Sequence, residues 1–509
     1  GSGVAVSAGY AGDQAAFGTA QIQGRMIRRF PPGRGSRRGR EKDDGRDGRN
    51  QASGDRRGPG ALRGPFRAAL FVGYVRLAER SQMSADPNQG HRRRRRRAAG
   101  KRERTGDIMD WHDTSEEAAF RREVRELIQD RLPSRYQEMA RRGGPGERVW
   151  EFDRKSADPE ARQAAMDWHG ALSERRWVAP HWPREYGGGG MSPIEQFILN
   201  EELARSGAPP VGGSAVGLLG PTLILHGTPE QKARYLPAIL AGETVWAQGY
   251  SEPGAGSDLA SLSTRAVRDG DDFVLNGQKI WTSGAHTADS IFALVRTDPD
   301  APKHRGISFL LIEDIHAPGV SIRPLVDMGG RHYFNEVFFE EVRVPARNLV
   351  GEENRGWYVA MTLLDFERSN IGGAVAARRQ IRRLLEVIHA DPSLRERIAT
   401  SPVRLEIAQR SIETEVMYQF SSRIISMQKR GQLPNYEASM AKLFGSEISQ
   451  RLAQTAMQAL GMKANIADET PEASFGRTYI GMVPATIRGG TSEVQRSVIA
   501  TRGLDLPRG

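Results

Sequence analysis

Apolar residues change their spacing twice along this chain, and the changes divide residues 109–509 into three parts. From Met109 to about Thr244 the spacing is helical. Phe120, Val124, Leu127 and Ile128 recur at i, i+4, i+7 and i+8, which is one face of a helix. Ahead of them, Thr114-Ser115-Glu116-Glu117 has the form of a capping box, in which a threonine hydroxyl and a glutamate each satisfy the other's backbone N–H. Thr228-Pro229-Glu230-Gln231 predicts another start, with Thr as cap and Pro in the first turn.

From about Val245 to Val350 the apolar residues come in short runs punctuated by Gly, Pro and Asp. Ser290 to Val295, Gly306 to Ile312, Gly319 to Leu325 and Asn335 to Val344 predict strands. Asp272-Phe273-Val274-Leu275 and Gln278-Lys279-Ile280-Trp281 flank Asn276-Gly277 and predict a hairpin with a tight turn. Strands of this length suggest a small barrel or sandwich. From about Gly356 the helical period returns, over Trp357 to Ile388, Pro402 to Arg430 and Glu437 to Leu460. The expected fold is therefore α+β. A helical domain (109–244) and a barrel-like β domain (245–352) are followed by a helical region (353–509), with no internal repeat.

Residues 1–108 break the pattern. They are rich in Gly and Arg, include the run Arg92 to Arg97, and lack hydrophobic period. Such a segment buries too little apolar surface to offset chain entropy, so disorder is expected. Charge divides at the same place: 25 Lys+Arg against 10 Asp+Glu give 1–108 a net +15, and the rest carries −4. A basic arm of this kind suits nucleic acid or an acidic membrane surface. Asp43, Asp44 and Asp47 argue against a mitochondrial presequence. Gly1-Ser2-Gly3 and the ordinary start offered by Met109 favour a non-native extension instead.

There is no cysteine, which excludes disulfides, a thiol nucleophile and a Cys-ligated metal. The apolar stretch Ala68 to Leu77 is interrupted by Arg76 and falls well short of the ~20 residues of a membrane span. A cytoplasmic setting is expected.

Candidate chemistry gathers in two stretches. Ser251-Glu252-Pro253-Gly254-Ala255-Gly256-Ser257-Asp258 reads as a tight loop whose backbone N–H groups can face a ligand. Gly277-Gln278-Lys279-Ile280-Trp281-Thr282-Ser283-Gly284 adds hydroxyls and an indole able to pack flat against an aromatic ring system. The first stretch lacks the third glycine of the dinucleotide fingerprint. A third signal lies on the helix from Trp357. Ala360, Leu364, Glu367, Ile371 and Val375 form one stripe in which Glu367 is the only charge. An inward carboxylate is costly unless paired or functional, and burial raises its pKa toward the range of a general base. An ion pair with Arg368 is the structural alternative.

With Phe334 to Gly351 (FNEVFFEEVRVPARNLVG) and Gly490-Thr491-Ser492-Glu493-Val494-Gln495-Arg496, these stretches resemble the acyl-CoA dehydrogenases along nearly all of 109–509. The resemblance implies an N-terminal helical domain, a middle β domain and a C-terminal four-helix bundle. It implies FAD, a dimer of dimers, and α,β-dehydrogenation of an acyl-CoA thioester with electrons passed to an electron-transfer flavoprotein. Familiar members carry their catalytic glutamate just before the C-terminal Gly-Thr, where this chain has Gly489. Members acting on branched or long-chain substrates place the base on the helix instead, at the position of Glu367. Gly489 keeps its backbone N–H for the thioester oxygen.

The resemblance further implies flavin contacts at Gln248, Tyr250, Ser251, Trp281 and Ser283. It puts Ser257 between FAD and CoA, Arg368 near the thioester, and Thr491 and Glu493 against FAD from the C-terminal loop. Two departures stand out. Ser393-Leu394-Arg395-Glu396-Arg397 replaces an Arg-x-x-Phe-Gly segment that contacts FAD of the neighbouring subunit. Gln458 and Gly461 are kept, but Met462-Lys463-Ala464 replaces the glycine-rich continuation. A heterotetramer sharing its FAD sites with a homologue is therefore an alternative. So is a nucleic-acid-associated flavoprotein using residues 1–108, or an oxidase or monooxygenase on the same scaffold.

Overall fold

The structure, a computed structural model, describes residues 113–142, 148–363, 371–432, 434–466 and 470–507. The arginine-rich segment 1–108, with its expected disorder, lies outside the described residues. Helices come first: α1 (Ser115–Arg131), α2 (Ser134–Arg142), α3 (Val149–Arg154), α4 (Pro159–Ser173), α5 (Pro193–Ser206), α6 (Gly220–His226) and α7 (Pro229–Leu240). Their starts follow local chemistry. Thr114 accepts from the Glu117 N–H and Glu117 accepts from the Thr114 N–H. The same reciprocal box begins α5 at Ser192 and Glu195, and α7 at Thr228 and Gln231. Each box satisfies two backbone donors that the helix leaves unpaired, and its cap contributes ~1 kcal/mol. Val124, Leu127 and Ile128 of α1 are buried, with Phe120 half-buried beside them, in a core shared with Trp168, Trp182 and Leu219.

Strands β1 (Trp246–Gly249), β2 (Arg265–Asp269), β3 (Asp272–Lys279), β4 (Ser290–Arg296), β5 (Ile307–Ile312), β6 (Val320–Val326), β7 (His332–Pro345) and β8 (Leu349–Val350) form one sheet. The order is β6-β7-β3-β2-β4-β5-β8, with β1 parallel to β4. Strands β4 and β5 are buried on both faces. Phe292 and Leu294 join the helical core, while Ile291, Ala293 and Val295 join Phe273, Leu275 and Val337 on the other face. Strand β6 lies at an edge and carries Pro324, whose missing N–H is tolerated there.

The expected hairpin turn at Asn276-Gly277 is not a turn. Both residues lie inside β3, which continues to Lys279 beside β7 with a register shift between Leu275 and Gly277. Gly270 (φ 62°) and Asp271 make the turn from β2 into β3. Both dipeptides have turn composition, and pairing on each side of β3 decides between them. The Asn276 side chain bonds Glu341 of β7 in both directions, at 2.7 and 3.0 Å. Gly277 (φ 150°) is forced by space, because a Cβ there would lie 2.7 Å from Thr264 Cα. Trp281, expected to continue the strand, falls beyond its end.

The chain returns to helices: α8 (Gly356–Leu363), α9 (Ile371–Ala390), α10 (Pro392–Thr400), α11 (Val403–Lys429), α12 (Tyr436–Leu460), α13 (Ala473–Met482) and α14 (Ser492–Val498). Helices α9, α11 and α12 share a core of Ile371, Val375, Met417, Ile425 and Ile448, which Phe197 of α5 joins. Among the described residues no helix is long and apolar enough to cross a membrane.

Candidate active site

The two motif stretches lie side by side. Ile280 N–H donates to the Ser251 carbonyl at 2.9 Å, so Tyr250–Glu252 and Lys279–Trp281 run together. Glu252 and Ala255 exchange backbone bonds at 3.1 and 3.0 Å, closing Glu252-Pro253-Gly254-Ala255 into a turn with Pro253 supplying the required φ. A cleft of about 270 Å³ opens beside this turn, with Ser261, Ser263 and Gln278 on its walls.

Two residues to which sequence reasoning gave no role hold this loop. Lys279 is fully buried, and its Nζ lies 2.7 Å from Glu252 Oε1 and 3.2 Å from the Tyr250 carbonyl. Glu252 also accepts from Ser263 N–H, the Ser263 hydroxyl and Thr264 N–H at 2.6, 2.9 and 2.8 Å. Burial alone would raise the Glu252 carboxyl, but Lys279 and these donors hold it down to about 2. The signal available in the sequence was a pair of opposite charges, one in each motif.

Around this lock stand the expected cofactor residues. Gln248 is on β1 and Tyr250 just beyond it. The Tyr250 ring meets Phe292 and Phe309 edge-on, and burial pushes its phenol up. Ser251 is half-buried and Ser257 exposed. Trp281 is 59% exposed, T-shaped to Phe334, and left-handed at φ 59°, a conformation that costs a non-glycine residue about 1–2 kcal/mol. Ser283 is half-buried next to it. Three hydroxyl oxygens of this region and the C-terminal loop are buried without a hydrogen-bond partner: Tyr250 Oη, Thr282 Oγ1 and Ser492 Oγ. The unpaired Thr282 hydroxyl beside an exposed, strained indole fits a planar heteroaromatic ligand with a polar edge.

The C-terminal loop is built differently. Gly489 (φ 64°) is exposed, and a Cβ there would meet nothing within 4 Å. The Gly490 carbonyl accepts from Lys442 of α12, Thr491 caps α14 through Val494 N–H at 3.2 Å, and Glu493 is exposed. A second cleft, about 440 Å³, lies here between α12 and the segment Thr486–Glu493. Gln458 lies in the last turn of α12 and Gly461 just beyond its end, with Gln458 about one helical turn past Gln454, which lines this cleft. Nearby, Arg397 of the departing segment donates to the Ala459 carbonyl. Glu367 and Arg368 lie outside the described residues. Their stripe neighbours Ala360, Ile371 and Val375 are buried.

Three family descriptions match this chain in order. They are "Acyl-CoA dehydrogenase, N-terminal domain" over residues 114–243, "middle domain" over 247–342 and "C-terminal domain" over 354–504. The acyl-CoA dehydrogenase IpdE1 of Mycobacterium tuberculosis is 37% identical over 397 residues, covering 76% of this chain and 97% of that protein. Among solved structures, the "Tcur3481-Tcur3483 steroid ACAD" is 36% identical and covers 79% of this chain and 100% of its own, with a TM-score of 0.67. The ChsE4-ChsE5 complex from Mycobacterium tuberculosis is 34% identical with the same coverage and a TM-score of 0.66.

Proposed function

The chain belongs to the acyl-CoA dehydrogenase family, and from that premise we propose that it oxidises the Cα–Cβ bond of a ring-bearing acyl-CoA thioester with FAD as cofactor. The observation that carries this reading is the locked pair of motif loops, which presents Trp281 and Ser283 on either side of Thr282, whose buried hydroxyl lacks a partner. FAD, when bound, accepts the hydride that leaves Cβ. Glu367 takes the proton from Cα, a role supported by its place in a stripe whose described members Ala360, Ile371 and Val375 are buried. Gly489 contributes its backbone N–H to the thioester oxygen as negative charge grows on it. Arg368 lies beside the thioester.

Gln248, Tyr250, Ser251, Trp281, Ser283, Thr491 and Glu493 hold the cofactor, and Ser257 stands between it and CoA. Gln458 and Gly461 serve the AMP end of FAD, at a site shared with a neighbouring subunit. The neighbour is a homologue rather than an identical copy. Support comes from the altered Ser393–Arg397 and Met462–Ala464 segments, and from the similar Tcur3481-Tcur3483 steroid ACAD and ChsE4-ChsE5 complex, each named for two chains. The steroid in the name of the first supports the ring-bearing substrate. An electron-transfer flavoprotein takes the electrons.

The test is anaerobic mixing of the protein with a panel of acyl-CoA thioesters while flavin absorbance is followed, beside Glu367→Gln. Bleaching by ring-bearing thioesters in the parent and its loss in the variant is expected. Flavin that no thioester bleaches overturns the reaction, and bleaching that survives in Glu367→Gln overturns the base. Flavin that appears only on co-expression with a homologue supports the shared site.

A further inference from the structure

We propose that Asn335 is a positioning residue for the Trp281–Ser283 segment and that a neutral His286 sets its orientation. Asn335, on β7, is fully buried. It grips Thr282 twice. Its carbonyl accepts from the Thr282 N–H at 3.0 Å, and its side-chain Nδ2 donates to the Thr282 carbonyl at 3.0 Å. Thr282 lies between Trp281 and Ser283, the two residues proposed to meet the cofactor. A left-handed Trp281 persists only where its surroundings over-determine the backbone. The double grip supplies that constraint, together with the Ile280–Ser251 bond and the Gly284 N–H bond to the Tyr333 carbonyl at 3.0 Å.

Donor and acceptor logic then fixes both histidines. A carbonyl only accepts, so the Asn335 atom facing Thr282 is the NH₂ group. The same Nδ2 lies 3.1 Å from His286 Nδ1, which must therefore be the unprotonated nitrogen. On the other side Asn335 Oδ1 lies 2.7 Å from His332 Nε2, which must donate. A proton added to His286 Nδ1 would set a donor against a donor. Asn335 then parts from His286, or turns its amide and drops the Thr282 carbonyl.

The surroundings favour the neutral ring. Burial and the stacked His332 ring, centroids 3.9 Å apart, lower the His286 pKa. Phe152 of α3 stacks on His286 at 5.6 Å. The other charged groups on adjoining elements are pairs. Arg148 and Glu151, at the start of α3, lie against Gly284, and Lys155 bridges Asp289 beyond Ala288. His332 is exposed, so the stack is open to water.

The positioning role rests on the cofactor reading above, and two measurements keep them apart. Hydrogen exchange of the peptide 278–290 is measured in the full chain at about pH 7 and about pH 5, after correction for intrinsic rates, across the range where histidine titrates. Parent, His286→Gln and Asn335→Asp are compared. Glutamine offers a carbonyl acceptor and takes no proton. Exchange in the parent is expected to rise about tenfold at the lower pH, the size of one lost buried hydrogen bond. His286→Gln stays protected at both, and Asn335→Asp is fast at both. Acid loosening that persists unchanged in His286→Gln overturns the proposal, as does its absence in the parent. So does an Asn335→Asp protein that folds by circular dichroism and stays as protected as the parent. If that variant fails to fold, the His286→Gln comparison decides alone.

FAD affinity of the same proteins, read by quenching of flavin fluorescence, is expected to follow exchange. Loosening without any change in measurable FAD affinity overturns the positioning role. Failure of every protein to take FAD, with exchange behaving as stated, overturns the cofactor reading and leaves the clamp without a cofactor to position.

Discussion

Behind the Ser251–Ser257 loop, Glu252 and Lys279 bury a complete set of bonds, whereas Gly489–Glu493 has two left-handed glycines, with Gly489 and Glu493 exposed at its ends. The sheet-side loop is finished within the chain. A buried charge pair there tolerates no loss of either member, because the survivor would be left without water or counter-charge. The C-terminal loop takes a bond from Lys442 of α12, shares a cleft with that helix and caps its own, and nothing would crowd a Cβ at Gly489. Under the proposed function it is the half of the site that ligand or partner completes. The contrast teaches where the chain spends stability and where it keeps access.

The largest way to break this comparison is Lys279→Met, which strands the Glu252 carboxylate. A loss of about 3–5 kcal/mol is expected, read as an earlier midpoint in urea unfolding, with FAD retention lost in parallel. Adding Glu252→Gln should recover roughly half of it, since the charge without a partner is then gone. If Lys279→Met unfolds at the parent midpoint, the lock does not hold the loop.

Acid separates the regions next. Burial lowers the pKa of His169, His226 and His286, and of His181 to about 4. In the unfolded chain these histidines take protons near 6.5. Between that value and the folded values the unfolded state binds more protons, so stability falls as pH drops. The fall stops once the folded histidines are protonated, near pH 4 for His181. His169, His181 and His226 lie in the helical region before β1, and His286 in the connection between β3 and β4. Thermal melts with hydrogen exchange from neutral to mildly acid pH should show those regions loosening before α11 and α12. Simultaneous loosening everywhere would remove the distinction.

Gly489→Glu probes the open loop. Space permits the side chain and only the left-handed backbone resists it, at about 1–2 kcal/mol. Under the proposed function both positions address the same Cα, so in a Glu367→Gln chain the new carboxylate should restore measurable thioester-driven bleaching. Stability unchanged and bleaching absent would mean that the loop does not reach the thioester.

What was legible in the sequence was local. The Thr114 box, the Thr228 cap, the buried face of α1 and the strands β4 and β5 each depend on neighbours within a few positions, and each formed where spacing put it. Asn276-Gly277 misled because its role depends on β7, far along the chain, which turns a hairpin signal into a bulge. Glu252 with Lys279 and Thr282 with Asn335 are pairs between distant segments, fixed by strand register, so neither residue carries its role in its own neighbourhood. The left-handed Trp281 was equally hidden, since nothing in its composition asks for positive φ. Motif order, by contrast, was enough to point to the family.

The smallest expected effect gives the cleanest control, because the same loop has a second lysine. Lys303 bonds both oxygens of Asp258, at 3.0 and 2.7 Å, with both side chains more than half exposed. In water such a pair gains little over its separated, hydrated members and loses side-chain freedom in forming. Lys303→Ala should therefore leave the thermal midpoint and FAD affinity where they are, in direct contrast to Lys279→Met. A drop in either would show that the loop is held from its solvent side as well, and the division between a locked half and an open half would have to be redrawn around Asp258.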